Sequence, residues 1–348
     1  MPDPVILPVE HPERVNLTFA TDIHDAALPP GRRRGTYSQE IQDKLVWWAG
    51  ITTQLRGAAL CGGDVFHVKP PTSRSNALGF VTDRVMVYGA FPHGRVFGSV
   101  GNHDLTGDNQ GTLPDQPLGN LIAAGVYHSL DYQSVVFASP GGCRVRVDGI
   151  TYSTPEQMLQ QILATKYEED ELQLDQMSQE DRPWHYRFAV IHAFNQQGKS
   201  GPIYGDWAFG WDDLVGSAYD VFLWGHDHSR KGIHQVGDQW HVQLGSLSRA
   251  ALSSDEIDRP VSLAVISTTL AGITIREKEV PVKPLELSFH TASVAIEKAD
   301  KRADVAQFMS DLEEHASAVD SEDPLEILAT LTDDLEIVAT IKEVCELG

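Results

Sequence analysis

Along most of the chain, short apolar runs rich in β-branched and aromatic residues alternate with longer stretches whose apolar positions recur every three or four residues. The runs at 15–21, 58–61, 95–100, 187–191 and 220–224 are nearly continuous, the pattern of strands buried on both faces. Between the first two, Ile41, Leu45, Trp48, Ile51 and Leu55 keep helical spacing behind Thr36 or Ser38, either of which can cap the helix. Trp48 belongs to that stripe and reads as core. A second helix is expected over 75–90. Strand, helix, strand, helix, strand predicts a parallel sheet with helical crossovers, an α/β fold. The pattern then changes. Residues 133–139 and 143–153 alternate about Gly141-Gly142, a hairpin. Residues 156–179 read as a polar, exposed helical insertion, and 239–244, 261–268 and 272–277 as closing antiparallel strands. The Gly- and Pro-rich stretch 107–118 and the Gly- and aromatic-rich stretch 194–209 read as loops that shape a cleft.

A different composition begins near Val282-Lys283-Pro284. Leu285, Leu287 and Phe289 alternate, which predicts a strand. Val305, Met309, Leu312, Ala316 and Val319 predict an amphipathic helix. Asp323-Pro324-x-Glu326 starts another, with Leu328, Leu331, Leu335, Val338 and Ile341 on one face. From residue 283 on there are 16 acids and 5 bases, so half of the chain's net charge of −22 lies in this tail. Two units are therefore expected: 1–278, which carries the chemistry, and 279–348, a small α+β tail whose helices cap the first unit or dock on a partner. The overall charge argues against holding nucleic acid by bulk attraction. Cys61, Cys143 and Cys345 are too scattered for a disulfide framework, and a reducing cytosol is the simplest setting. No membrane span and no secretory signal in residues 1–10 are expected.

The apolar runs share one property: each ends in residues that bind metals. Asp22-Ile23-His24 follows the first, Gly63-Asp64 the second, Gly101-Asn102-His103-Asp104 the third, His192 the fourth and Gly225-His226-Asp227-His228 the fifth. A lone His-x-His is a weak signal; five such endings are hard to ascribe to packing. Carboxyl ends of parallel strands are where open α/β sheets place their sites. Asp, Asn and His without Cys suit Mn²⁺, Fe²⁺, Zn²⁺ or Mg²⁺. Asp22, His24, Asp64, Asn102, His192, His226 and His228 exceed one four-coordinate ion and suit two ions that share the Asp64 carboxylate. Two ions about 3.5–4 Å apart clamp a phosphoryl group and hold a bridging hydroxide for in-line attack. A general acid is still needed for the leaving oxygen. His103, beside Asn102 and without a partner His at ligand spacing, either stabilises the transition state or protonates the leaving group. Asp104 either orients it or caps the next turn. Arg32-Arg33-Arg34, just downstream of the first ligands, either grip phosphate or serve solubility.

In this order the motifs resemble the five blocks of calcineurin-like metallophosphoesterases, over about residues 15–248. The resemblance implies a four-layer α-β-β-α sandwich, with one ion on Asp22, His24, Asp64 and His228 and the other on Asp64, Asn102, His192 and His226. His67, three residues after Asp64 and followed by Lys69-Pro70-Pro71-Thr72, is similar to the pattern of the SbcD-type DNA double-strand-break repair nucleases, some of them phage-encoded. That implies a Mn²⁺-dependent 3′-to-5′ exonuclease with single-strand endonuclease activity. It also implies an SbcC-type ATPase partner bound through the tail, and a cytoplasmic setting in a bacterium or an infected host. His67 would place a terminal nucleotide or orient His103; a homodimer is allowed. The acidic tail departs from that family, where a DNA cap should be positive. A cyclic-nucleotide or other small-molecule phosphodiesterase is the alternative, and a catalytically silent scaffold a remote one.

Overall fold

The computed structural model describes residues 3–67, 78–197, 208–251 and 259–290. All of them belong to one compact unit that reaches His290. The expected tail helices, the Lys69-Pro70-Pro71-Thr72 segment and the middle of the 194–209 stretch lie outside the described residues.

The strands in chain order are β1 (Val5–Pro8), β2 (Val15–Ala20), β3 (Ala58–Cys61), β4 (Val96–Gly98), β5 (Tyr127–Ser129), β6 (Val135–Ala138), β7 (Arg144–Ile150), β8 (Tyr186–His192), β9 (Phe194–Gln196), β10 (Ala208–Gly210), β11 (Val221–Gly225), β12 (Gly232–Val236), β13 (Gln239–Gln243), β14 (Ser262–Thr269) and β15 (Gly272–Glu279). The helices are α1 (Tyr37–Gln54), α2 (Leu78–Gly89), α3 (Pro117–Ala123), α4 (Pro155–Leu172) and α5 (Leu285–Ser288). Two sheets carry the fold. One has six strands in the order β15-β14-β2-β3-β4-β5, the other seven in the order β1-β6-β7-β8-β11-β13-β12. As expected, β2, β3, β4 and β5 run parallel. So do β7, β8, β11 and β13.

The two-residue period of a strand explains the layering. Val15, Leu17 and Phe19 of β2 point between the sheets, where they meet Val145, Phe188, Leu223 and Ile266. The opposite faces, including Ala59, Cys61 and Val265, pack on Ile41, Leu45 and Trp48 of α1 and on Leu118 and Leu121 of α3. Ala189, Ile191 and Phe222 pack outward on Met158 and Ile162 of α4. The result is a mixed α/β molecule with four α-β-β-α layers. Each large side chain so buried contributes roughly 1.5–3 kcal/mol. Trp48 is fully buried and donates its indole N–H to Thr18 Oγ1 at 2.7 Å, a core role.

Several expectations need correction. The segment 285–289 is not a strand: Pro284 starts a short helix, α5, with Glu286 in its first turn. Its main chain is occupied by the arginine loop, since Arg34 N–H donates to Ser288 O and His290 N–H to Arg32 O. The stretch 107–118 is not a plain loop; it holds a 3₁₀ turn at Gln110–Asp115 and the start of α3, where Pro117 sits at a position that needs no N–H. The 194–209 loop is bounded by a short parallel pair, β9 with β10. The helix expected over 156–179 ends at Leu172, with Gln173 in the left-handed region. It is no free insertion, because Met158 and Ile162 are buried against the sheet. No described helix is long and apolar enough to cross a membrane.

Candidate metal centre

The carboxyl ends of the parallel strands in both sheets converge at one edge of the sandwich, and the five motifs sit there. β8 and β11 pair in register with His192 opposite Gly225, so His226 is the next residue along. On the other sheet the loops after β2 and β3 continue as a pair: Asp22 N–H donates to Gly63 O, His24 N–H to Asp64 O and Asp25 N–H to Val65 O, at 3.2, 2.9 and 2.8 Å. Room for the loop after β4 depends on glycine. Gly63 has φ +95°, and a Cβ there would lie 2.8 Å from His192 Nδ1. A Cβ on Gly101 would collide with Asp64 Oδ1 and lie 2.8 Å from His192 Cε1.

The seven expected ligands come together in two groups. In the first, His24 Nε2 lies 2.9 Å from His228 Nε2, and His228 Nε2 lies 3.7 Å from Asp22 Oδ1. In the second, Asn102 Oδ1 lies 3.0 Å from both His192 Nε2 and His226 Nδ1, which are 3.1 Å from each other. Asp64 joins the groups: its Oδ2 is 3.6 Å from His24 Nε2 and its Oδ1 3.3 Å from His192 Nε2. Asp22, His24, Asp64 and His192 are buried, while Asn102, His226 and His228 are half-buried at the mouth. Asp22, His24, Asp64 and His226 all have positive φ, between 46° and 83°. Such a backbone costs on the order of 1–3 kcal/mol per residue, and strain of this kind gathers at functional sites.

This donor set fits two divalent cations. His192 Nδ1–H donates to Gly62 O at 2.8 Å, which leaves its Nε2 lone pair facing Asn102 Oδ1 and His226. Nitrogen and oxygen atoms able to bind a cation therefore face each other within each group. Main-chain donors hold the carboxylates in place: His226 N–H on Asp22 at 3.1 Å, and His103 N–H on Asp64 Oδ1 at 2.8 Å. Thr21 Oγ1 also donates to Asp22 at 2.7 Å. Burial would raise Asp64, but His192 and His24 reverse this and hold it well below the usual carboxylate range. His192 is depressed by burial, yet the Asp64 charge overrides that and pushes it up to about 9, so an ion binding at its Nε2 would displace a proton from that atom. Burial and His192 push His226 down to about 3. Burial likewise holds His24 neutral against the pull of Asp64.

His103 is half-buried beside the first group, its ring 4.7 Å from that of His24. Its Nδ1–H donates to the carbonyl of His67 at 2.9 Å. His67 thus orients His103 through its main chain, with its own ring stacked 5.8 Å away. Asp104 does not orient His103. It accepts from the N–H groups of Val65, Phe66 and Gly101, tying the loops after β3 and β4 together. The arginines are not part of the cluster. Arg33 is buried, paired with Glu40 and stacked between Tyr37 and Phe289. Arg34 donates to Phe289 O, and Arg32 is exposed.

Three supporting residues had escaped the sequence reading. Tyr37 donates its hydroxyl to His24 O at 2.7 Å. Lys44 donates to Leu247 O and Ser248 O at 2.7 and 3.2 Å; the N–H groups of those residues bind Thr21 O and Asp22 O. Arg84 binds the buried Asp25 carboxylate. Only Asp25 had a local signal, as the acid directly after His24.

No family model and no curated protein matches the chain. Among solved structures, a 5′-nucleotidase precursor from Thermus thermophilus is similar over 83% of this chain, at 12% identity and a TM-score of 0.44. The chain spans 59% of that protein's length. A hypothetical protein from the same organism is similar over 77% of this chain and all of its own, at 10% identity and a TM-score of 0.39. Vps29 from Chaetomium thermophilum is similar over 78% of this chain and 98% of its own, at 13% identity and a TM-score of 0.28.

Proposed function

We propose that the chain is a metal-dependent phosphoester hydrolase that removes nucleotides from DNA ends as a 3′-to-5′ exonuclease with single-strand endonuclease activity. The observation that carries the hydrolase reading is the Asp64 carboxylate, which offers one oxygen to each ligand group. Asp22, His24, Asp64 and His228 would hold one ion, and Asp64, Asn102, His192 and His226 the other. When bound, two divalent cations, Mn²⁺ foremost, polarise phosphoryl oxygens and lower the pKa of water. The protein's own groups do the rest. His103, with Nδ1 fixed on the His67 carbonyl, presents Nε2 to protonate the leaving oxygen. His192 is fixed by Gly62 O, and burial shields Asp22 and His24 from bulk water, while His228 faces the mouth.

The DNA reading draws on His67, whose half-buried ring lines the same mouth as His103. An SbcC-type ATPase would bind through the tail, 279–348. The net charge of −22 favours a second reading, a cyclic-nucleotide or other small-molecule phosphodiesterase, because an acidic surface repels a polyanion. The deciding experiment is cleavage of end-labelled duplex DNA with Mn²⁺, beside a cyclic nucleotide, for wild type, His103→Ala and His67→Ala. Mononucleotides from DNA with wild type, none with either variant and full metal content in His67→Ala is the expected result. Turnover of the cyclic nucleotide with intact DNA moves the assignment to the second reading. Inertness toward both substrates in wild type refutes the hydrolase itself.

A further inference from the structure

The mouth of the centre is asymmetric. Around the first ligand group it is lined by imidazoles, His67 and His103. Around the second it is lined by two aromatic rings that belong to no ligand motif. Phe194, at the start of β9, stands edge-on to His226 with centroids 4.2 Å apart and planes at 68°. Tyr152, in the turn after β7, is 5.9 Å from His192 and 6.3 Å from His226. Both residues are half-buried. Tyr152 is braced from behind: Gln110 donates to its carbonyl at 3.2 Å, and Gln110 in turn accepts from Tyr132. A phosphoryl group held by the two ligand groups would carry its organic substituent past one side of the mouth or the other. Among the described residues, only the second side offers flat apolar faces.

We infer that Tyr152 and Phe194 form a subsite for the flat ring of a nucleoside, on the His192–His226 side of the centre. This rests on the phosphoester hydrolase reading and narrows it. The substrate is an ester of a nucleoside phosphate, and esters of small aliphatic alcohols are poor substrates. Stacking of a base on an aromatic side chain is sequence-tolerant, so the subsite selects a nucleobase without choosing among them. The same pair would serve a DNA terminus or a single nucleotide.

The test compares two diesters with one leaving group: thymidine 5′-(p-nitrophenyl phosphate) and methyl p-nitrophenyl phosphate. In both, the oxygen of water replaces p-nitrophenolate at phosphorus, and the colour released is the same. The measured quantity is the ratio of kcat/KM for the thymidine ester to that for the methyl ester. We expect wild type to favour the thymidine ester by about tenfold or more, as one stacked base provides. Phe194→Leu and Tyr152→Leu should each lower the ratio several-fold, mainly through KM, and Phe194→Tyr should retain it. A calorimetric comparison of thymidine 5′-phosphate with methyl phosphate, on metal-loaded protein, reads the same preference without turnover. A wild-type ratio near one, or a ratio preserved in both leucine variants, overturns the subsite while leaving the hydrolase standing. Failure of wild type to cleave either ester refutes the hydrolase reading and the subsite with it.

Discussion

Arg84 offers the sharpest test of how the protein supports its site from a distance. It lies on α2, is 2% exposed, and clasps both oxygens of the fully buried Asp25. Its remaining donors go to Ser38 and Gln42, and its guanidinium lies 4.6 Å from the Phe80 ring. Asp25 is the hub beyond it: its N–H binds Val65 O at 2.8 Å, and its carbonyl accepts from His67 N–H at 3.0 Å. The His67 carbonyl then fixes His103 at 2.9 Å. In Arg84→Met the Asp25 carboxylate loses its cation in a site where burial already raises its pKa. An unpaired buried charge costs about 3–5 kcal/mol. We therefore expect a loss of that order in urea unfolding at pH 8, shrinking at lower pH as Asp25 takes up a proton. The double variant Asp25→Asn/Arg84→Met, which buries no charge, should recover more than half of it. Where Arg84→Met folds, kcat should fall more than KM rises, because the slackened part is the His103 tether. Arg84→Met within about 1 kcal/mol of wild type, or a double variant no more stable than the single one, would refute the reasoning.

The other expectations concern the ions and the charge state of the fold. Asn102→Ala removes the oxygen that faces both His192 and His226, so metal analysis of the purified variant should find one tightly held ion per chain; two would contradict the division of ligands. Burial pushes Asp131, which accepts from Val100 N–H at 2.8 Å, up to about 7 from an ordinary 3.8. The folded state therefore keeps a proton that the unfolded chain releases, and stability falls as pH rises from about 4 to 7, by at most about 4 kcal/mol. Asp131→Asn should flatten that slope in denaturant titrations of chelator-treated protein; parallel curves for wild type and variant would show that Asp131 titrates normally.

The candidate centre was legible in the sequence because its expected ligands are local features. Each follows an apolar run, and a parallel sheet sends the ends of such runs to one edge. Alternation gave the hairpin about Gly141-Gly142, where β6 and β7 pair antiparallel, while the four layers were implied only by the family resemblance of the motifs. Supports that act across long separations left no such trace. Arg84 lies 59 residues from Asp25, and Lys44 lies 203 from Leu247. Alternation misled at 285–289, where Pro284 and the main chain of the arginine loop decide the local structure. Polarity misled at α4, since three buried positions among 18 suffice to dock a helix. For the arginines, position left phosphate binding and solubility both open. The acid that captures Arg33, Glu40, sits seven residues on in the first turn of α1 and was in plain view.

The ligands are also divided between the two sheets. Asp22, His24, Asp64 and Asn102 hang from the six-stranded sheet, and His192, His226 and His228 from the seven-stranded one. The contact between the sheets is a layer of alkyl and aromatic side chains, which resists separation but only weakly resists sliding. Ions held by both sheets would act as a buckle at one hem of that layer, closing a loop of 204 residues between Asp22 and His226. Such a buckle fixes the registry of the sandwich, and its affinity adds directly to the free energy of unfolding. The melting temperature of the protein then becomes a gauge of metal supply, and any partner that shears one sheet against the other by an ångström would loosen the ions before it disturbs the core.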